Sequence, residues 1–206
     1  YVQGWGRLTG KNTVTVDGKE YRGKNIVLAS GSYSKTIPGL EIEGNVITSE
    51  QALQMTWVPS KAIVLGGGVI GVEFASVWAS FGAEVTIIEG LDRLVPAEDE
   101  AISKNLERQF RKRGIDFKTK TMFESVTQDE SGVHVKTNDG NTYDGDILLV
   151  AIGRGPATAN LGYEEQGVNM ERGFVLTDER LRTNVEGIYA VGDIVPGLQL
   201  AHRGFL

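Results

Sequence analysis

A closely spaced group of glycines is the first feature of the sequence that suggests chemistry. The group, which we call the glycine loop, contains the pattern GxGxxG and consists of Gly66, Gly67, Gly68, Val69, Ile70 and Gly71. An apolar segment at residues 61–65 predicts a buried strand before the loop. Residues 69–81 carry apolar residues on nearly every face and predict a helix that packs on a sheet after the loop. A lone GxGxxG is weak evidence because glycine is common. Between a strand and a helix, it is typical of a dinucleotide-binding βαβ unit.

Each glycine of the pattern has a separate physical role in such a unit. Gly66 permits the tight turn, Gly68 lets the backbone approach a pyrophosphate, and Gly71 lets helix and strand pack closely. The helix N-terminus offers free N–H groups and a partial positive charge to the phosphates. The alternative is a structural glycine loop that has no ligand.

An acidic residue indicates which nucleotide the loop binds. Glu89 lies 23 residues after Gly66, at the end of the next predicted strand, residues 84–89. A carboxylate here accepts hydrogen bonds from a ribose 2′-hydroxyl and opposes a 2′-phosphate, and neither Gly90 nor Leu91 is an arginine. The sequence therefore predicts NAD rather than NADP. Some methyltransferases have a similar loop and acid, so S-adenosylmethionine remains an alternative on these residues alone.

Composition narrows the classes of partner. The 206 residues carry a net charge of −6 without a basic stripe, which argues against nucleic acid or an anionic membrane as partner. The cations of residues 104–113 fit the solvated face of a helix. No stretch approaches the roughly 20 apolar residues of a membrane span. Cysteine is absent, which excludes thiol catalysis and thiolate metal sites from this chain, and we predict no metal site.

The remaining pattern predicts an α/β fold. Residues 13–29 predict a β-meander with a turn at Asp17 and Gly18, and residues 49–57 a short helix capped by Ser49. An amphipathic helix at 99–113 ends before Gly114, and residues 147–152 predict a central strand. Further strands are predicted at 115–118, at 173–176, at 188–191 and in a second meander at 123–143.

Several further segments resemble the flavoprotein disulfide reductases. Residues 150–156 (VAIGRGP) are similar to the "ATGRxPN" signature of that family, and residues 183–193 to its second FAD signature. With the glycine loop, residues 29–32 (ASGS) and residues 200–202 (LAH), the whole chain most resembles the dihydrolipoamide dehydrogenase group of the family. Ser30 and Ile152 each stand where the family usually has threonine.

The resemblance implies cofactor contacts at individual positions. For NAD it implies roles for Glu73 near the nicotinamide, Val69 at nicotinamide entry, and Gly153 and Phe123 at the adenosine. For FAD it implies contacts from Gly6, Ser30, Gly31, Ser32, Asp193, Gln199, Leu200, Ala201 and His202. The implied fold is a Rossmann-like NAD domain at residues 35–156, containing a parallel sheet and an antiparallel meander. Segments 1–34 and 157–206 would belong to a split FAD-binding domain.

The departures from the family pattern concern its redox machinery. An N-terminal FAD-binding GxGxxG, a CxxxxC pair and a C-terminal dimerisation domain with a His-Glu pair are not in this sequence, so no catalytic residue is predicted within it. The resemblance implies a parent enzyme that oxidises dihydrolipoamide through a redox disulfide and FAD to reduce NAD⁺. That parent would be a cytoplasmic or mitochondrial homodimer serving lipoyl domains of 2-oxoacid dehydrogenase or glycine cleavage complexes. The alternatives are an NADH-linked sibling reductase, a transhydrogenase, and a nucleotide-binding module without catalysis.

Overall fold

The computed structural model describes residues 1–204 and divides the chain into two compact units. Unit 1 consists of Tyr1–Tyr33 and the chain from Arg154 onward, and unit 2 is Ser34–Gly153. Of the predicted return segment 157–206, residues 205 and 206 lie outside the described residues.

Unit 2 is built on a parallel sheet, as the alternation of strands and helices predicts. Its strands in chain order are β6 (Val46–Thr48), β7 (Lys61–Leu65), β8 (Glu84–Ile88), β9 (Asp116–Lys118) and β13 (Ile147–Val150), and its helices are α1 (Ser49–Ala52), α2 (Val69–Ser80) and α3 (Glu100–Lys112). The spatial order β6-β13-β7-β8-β9 is parallel throughout. This arrangement confirms the predicted Rossmann-like class.

The parallel sheet is covered on both faces, which explains why its strands are almost wholly apolar. Alternate residues of β7 point to opposite faces: Ala62 and Val64 pack with the helices, whereas Ile63 and Leu65 pack on the other side. That second side is covered by an antiparallel sheet of β10 (Phe123–Asp129), β11 (Gly132–Thr137) and β12 (Thr142–Gly145). The predicted second meander is therefore confirmed, and it forms one layer of a three-layer core.

Unit 1 contains smaller sheets around a core of its own. Its strands are β1 (Gly6–Gly10), β2 (Thr13–Val16), β3 (Lys19–Arg22), β4 (Ile26–Leu28), β14 (Arg154–Pro156), β15 (Met170–Glu171), β16 (Phe174–Val175) and β17 (Ile188–Ala190); β5 (Ser32–Ser34) follows β4 at the unit boundary. Strands β1, β2 and β3 form an antiparallel meander around the predicted turn, where Asp17 and Gly18 both have positive φ. Short 3₁₀ helices occur at Glu164–Gln166, Gly192–Ile194 and Ala201–Gly204.

Four sequence predictions about the elements need correction. Residues 25–29 do not extend the first meander, because β4 pairs in parallel with β17. The helix predicted at 49–57 ends at Ala52, and its N-cap is Thr48 rather than Ser49. Thr48 has extended backbone. The Thr48 N–H and the Thr48 hydroxyl both donate to the Gln51 Oε1, at 2.9 Å and 2.6 Å.

The other two corrections concern β13 and α2. β13 ends at Val150, two residues before the predicted end. The helix α2 buries one face rather than nearly all of its surface: Val72, Ala75 and Trp78 are buried, whereas Val77 is 47% exposed. The predicted helix at 99–113 is confirmed as α3, which has Asp99 as its N-cap and is followed by Gly114 at φ +75°.

Candidate functional site

The glycine loop of unit 2 connects β7 to α2 with backbone atoms packed too closely for side chains at two positions. Gly66 has φ +107°, and a Cβ there would collide with the Ala151 carbonyl. A Cβ at Gly71 would collide with the Gly66 carbonyl oxygen. These two glycines fix the turn and the close contact of helix and strand, as the sequence predicts.

Gly68 differs from its neighbours because nothing fills the space beside it. It is the N-cap residue of α2 and has extended backbone, and a Cβ built on it would have no heavy atom within 4 Å. Val69 and Ile70 follow as the first residues of a 12-residue helix, whose N-terminus carries free N–H groups and partial positive charge. An open surface at this place can receive an anionic group such as a phosphate.

Glu89 lies directly after β8 and holds the loop in place. Its side chain is 8% exposed. Its Oε2 accepts a hydrogen bond from the Gly67 N–H at 2.6 Å, and its Oε1 accepts one from the Leu91 N–H at 2.7 Å. Each carboxylate oxygen has a second lone pair, so the group retains acceptor capacity for sugar hydroxyls. The sequence predicts a ribose-binding acid here but gives no sign of this second, structural role.

The other residues assigned to NAD differ in how exposed they are. Glu73 lies one turn into α2 and is exposed, and Val69 is 49% exposed. Gly153 is exposed with φ +113°, two residues after the Ala151 carbonyl that abuts Gly66. Phe123, in contrast, packs partly against the meander side of the core.

Met122 is a candidate that the sequence did not single out. It is 56% exposed, and a Cβ at Gly90 would lie 2.6 Å from its sulphur. Its backbone N–H is fixed by the Asn138 Oδ1 at 2.9 Å. This thioether therefore lies beside Gly90, the residue that follows Glu89.

In unit 1, three polar side chains from distant parts of the chain meet. The Ser32 hydroxyl donates to the Asp193 Oδ2 at 2.5 Å and accepts from the Arg154 Nε at 2.7 Å. An Arg154 terminal nitrogen also donates to the Ser32 carbonyl at 2.8 Å. The structure thus brings together two residues assigned to FAD and adds Arg154, which lies within the signature-like segment 150–156 but was not itself assigned a role.

Of the remaining residues assigned to FAD, Gln199 bonds to Asp193 of this cluster and Ser30 bonds to Tyr163. The Tyr163 hydroxyl donates to the Ser30 hydroxyl at 3.2 Å, and burial raises the pKa of Tyr163. Gln199 donates to the Asp193 carbonyl at 3.4 Å. Gly31 has φ +76° and open space at its Cβ position. The others are exposed: Gly6 on β1, Leu200, and Ala201 and His202 in the last 3₁₀ helix.

Within residues 1–204, no helix has the length and apolar character required to cross a bilayer. The same residues contain no group of three or more histidine, aspartate or glutamate side chains arranged to hold a metal ion.

Comparisons with known proteins agree on one family. The family model described as pyridine nucleotide-disulphide oxidoreductase matches residues 1–205. Dihydrolipoamide dehydrogenase of Chaetomium thermophilum is 43% identical over 98% of this chain and 43% of its own length. Leghemoglobin reductase of Glycine max is 37% identical over 98% of this chain and 41% of its own length.

A solved structure extends the similarity to three dimensions. The HOCl-induced flavoprotein disulfide reductase RclA of Escherichia coli superposes with a TM-score of 0.91 at 34% identity, over 98% of this chain and 47% of that one. The chain therefore spans less than half the length of the relatives that it matches.

Proposed function

Because the chain belongs to the pyridine nucleotide-disulphide oxidoreductase family, we propose that unit 2 binds NAD(H) at the glycine loop and Glu89. The observation that supports this most is the open space at Gly68, which lies at the N-terminus of α2. Gly66 and Gly71 are required by the backbone around them, whereas the glycine at 68 is required by no neighbour in the protein. A ligand phosphate accounts for it.

The preference for NAD over NADP rests on Glu89. Its carboxylate is nearly buried and held by two backbone N–H groups, so it cannot swing away from an incoming sugar. A ribose 2′-hydroxyl can donate to it, whereas a 2′-phosphate would place a second negative charge beside it in a poorly solvated position. Val69, Glu73 and Gly153 would face the nicotinamide and adenosine parts of the ligand, with Phe123 or its neighbour Met122 beside the adenosine.

We further propose that unit 1 supplies part of an FAD site. Ser32 and Asp193 are joined to each other and to Arg154, which gives a polar cluster able to meet ribityl hydroxyls and phosphate. Gly31 adds an exposed turn where backbone can approach a ligand. Gly6, Ser30, Gln199, Leu200, Ala201 and His202 would complete the contacts made by this chain. A bound flavin would supply the electron-transfer chemistry, while these residues would orient it.

The activity proposed for the parent protein is the oxidation of dihydrolipoamide with reduction of NAD⁺. Its partners would be the lipoyl domains of 2-oxoacid dehydrogenase or glycine cleavage complexes, and the parent would be a homodimer located in the cytoplasm or the mitochondrial matrix. This chain contains no cysteine to accept electrons from a dithiol. We therefore expect the chain alone to bind nucleotide without catalysing that reaction.

A sibling function in the same family is the main alternative. Relatives of similar identity carry the names leghemoglobin reductase and HOCl-induced flavoprotein disulfide reductase, so the family contains more than one activity. An NADH-linked sibling reductase or a transhydrogenase is therefore compatible with the fold. A nucleotide-binding module without catalysis is the alternative from another class, and the absence of cysteine favours it for the chain by itself.

The proposal is tested by separating nucleotide binding from folding. Gly68→Val places a side chain in the open space beside the α2 N-terminus and keeps an extended backbone that valine tolerates. We expect NADH affinity to fall by at least roughly tenfold in calorimetry, while the free energy of unfolding changes by about 1 kcal/mol or less. Unchanged NADH affinity in a folded variant would refute the proposed site.

A further inference from the structure

A strained valine lies against the glycine loop. Val95 has φ +43°, a left-handed conformation in which a β-branched residue is a genuine outlier. Such a conformation persists only where the surroundings impose it, and it is concentrated at functional sites. The side chain of Val95 is 6% exposed, and that of its neighbour Leu94 is fully buried.

The contacts of Val95 show what its conformation accomplishes. Its N–H donates to the Gly67 carbonyl oxygen at 2.7 Å. The N–H of Gly67 is held on its other side by Glu89. Both peptide groups that flank the Gly67 α-carbon are therefore fixed, one by a carboxylate and the other by the strained residue.

Fixing the Gly67 carbonyl also fixes the next amide. A trans peptide is planar, with its C=O and N–H on opposite sides, and the Gly67 carbonyl shares its plane with the Gly68 N–H. Because Val95 holds the carbonyl, the Gly68 N–H is directed away from Val95. Gly68 is also the position whose Cβ would meet open space.

Two side chains of α3 bond to this segment, whose Val95 carbonyl also accepts from the Glu98 N–H at 2.9 Å. The Ser103 hydroxyl, which is fully buried, donates to the Val95 carbonyl at 3.3 Å. The Glu107 Oε1 accepts from the Leu94 N–H at 3.1 Å, and its side chain is only 16% exposed. Ser103 and Glu107 are four residues apart and therefore lie on one face of the helix.

We propose that Ser103 and Glu107 are positioning residues for the nucleotide: through Leu94 and Val95 they set the direction of the Gly68 N–H toward the ligand phosphate. This inference rests on the proposed function of the glycine loop. It assigns a binding role to the face of α3 that carries Ser103 and Glu107, where Arg111 also lies, 3.9 Å from the Glu107 Oε2.

The test uses the whole chain and variants of α3. Glu107→Ala removes the acceptor for the Leu94 N–H, and Glu107→Gln keeps an acceptor oxygen. Ser103→Ala removes the side-chain donor to the Val95 carbonyl. Glu100→Ala is the matched control, because Glu100 is on the same helix, 63% exposed, and contacts Lys104 rather than the loop. NADH dissociation constants are measured by calorimetry well below the unfolding temperature, together with the ¹⁵N–¹H resonance and exchange rate of the Gly68 amide.

We expect Glu107→Ala and Ser103→Ala each to weaken NADH binding by roughly three- to tenfold, as the loss of one hydrogen bond allows. Both should shift the Gly68 amide resonance and speed its exchange, whereas Glu107→Gln and Glu100→Ala should stay near the unmodified chain. A merely structural role would lower stability without moving the Gly68 amide.

The outcomes separate this inference from the proposed function. If the unmodified chain binds NADH and both alanine variants bind it equally well, with an unmoved Gly68 amide, the positioning role is wrong and the site stands. If one variant fails to fold, the other decides. If the unmodified chain does not bind NADH, the proposed function is wrong and the positioning role is overturned with it.

Discussion

The two candidate cofactor regions of this protein are built in different ways. The glycine loop and Glu89 of unit 2 lie within 24 consecutive residues, 66–89, joined by neighbouring parallel strands. The polar cluster of unit 1 joins Ser32 to Arg154 and Asp193, which are 122 and 161 residues away along the chain. The phosphate-binding and ribose-binding parts of a site made from one βαβ unit form with that unit, whereas a site made from distant segments depends on every segment that contributes to it.

This difference predicts opposite behaviour toward the two cofactors, and it gives the largest expected effect. The chain should bind NADH yet hold FAD weakly or not at all, because unit 1 offers no second glycine loop for the pyrophosphate of FAD. Each 1.4 kcal/mol of lost contact weakens binding about tenfold. Purified protein should be colourless and show no dihydrolipoamide:NAD⁺ turnover in a coupled absorbance assay.

A yellow preparation with stoichiometric flavin would contradict the expectation that unit 1 holds FAD weakly. Turnover of dihydrolipoamide above the buffer background would contradict the account more strongly, because the chain has no cysteine to accept the electrons. Flavin absorbance after gel filtration distinguishes retained FAD from adventitious flavin.

The next largest effect concerns two glycines of the loop, Gly71, which has no room for a side chain, and Gly68, which has open space beside it. Gly71→Val should destabilise the protein by about 3 kcal/mol or more, because its side chain would collide with the Gly66 carbonyl. Gly68→Val, described above, is the matched control with open space. Denaturant unfolding followed by circular dichroism measures both, and equal stabilities of the two variants would contradict the packing described for Gly71.

A smaller effect is expected from the cluster of unit 1. Ser32→Ala removes the hydroxyl shared by Asp193 and Arg154 and should cost about 1 kcal/mol of unfolding free energy. The NADH affinity should not change, because the glycine loop is held by hydrogen bonds within unit 2. A Ser32→Ala variant that lost NADH affinity would show that the two regions are not separable.

The smallest effect concerns a histidine on the second meander. The His134 Nδ1 is 2.7 Å from the Asp144 Oδ1, and its Nε2 is 3.2 Å from the Asp129 Oδ2. The hydrogen bonds with Asp144 and Asp129 raise the pKa of His134 above 6.5. Hydrogen bonds from Ser131 and then His134 lower the pKa of Asp129 from 3.8 to about 2.

The sign of the pH dependence follows from these directions. The raised pKa of His134 adds stability that is fully present below pH 6.5 and is lost as pH rises through the folded value. The lowered pKa of Asp129 adds stability that is present above pH 3.8 and is lost as pH falls through about 2. The unfolding temperature of the unmodified chain should therefore exceed that of His134→Gln by more at about pH 5.5 than at about pH 8.5. An equal difference at both pH values would contradict this.

Local patterns explain what the sequence predicts well. The alternation of apolar strands with helices places β7, α2 and β8 correctly, and the glycines of the loop follow from the turn that joins β7 to α2. The turn at Asp17 and Gly18 is equally local, because two consecutive residues with positive φ require such residue types. The fold class rests on these short-range rules, and it is confirmed.

What the sequence does not predict depends on contacts between distant residues. The parallel pairing of β4 with β17 joins residues more than 160 positions apart, so residues 25–29 are wrongly placed in the first meander. The hydrogen bonds from Ser103 to Val95 and from Leu94 to Glu107 depend on how α3 docks, and nothing in the spacing of α3 reveals them. Thr48 replaces Ser49 as the cap because β6 ends there. The roles assigned to Phe123, Glu73 and the FAD residues stay predictions.

The Glu89 carboxylate, held by two backbone N–H groups, is expected to select NAD over NADP. Calorimetry of the unmodified chain with NADH and NADPH tests this selection most directly. We predict that NADH binds at least about tenfold more tightly, which corresponds to roughly 1.4 kcal/mol of discrimination against a 2′-phosphate beside Glu89. Equal affinities for the two nucleotides, or tighter binding of NADPH, would contradict the claim.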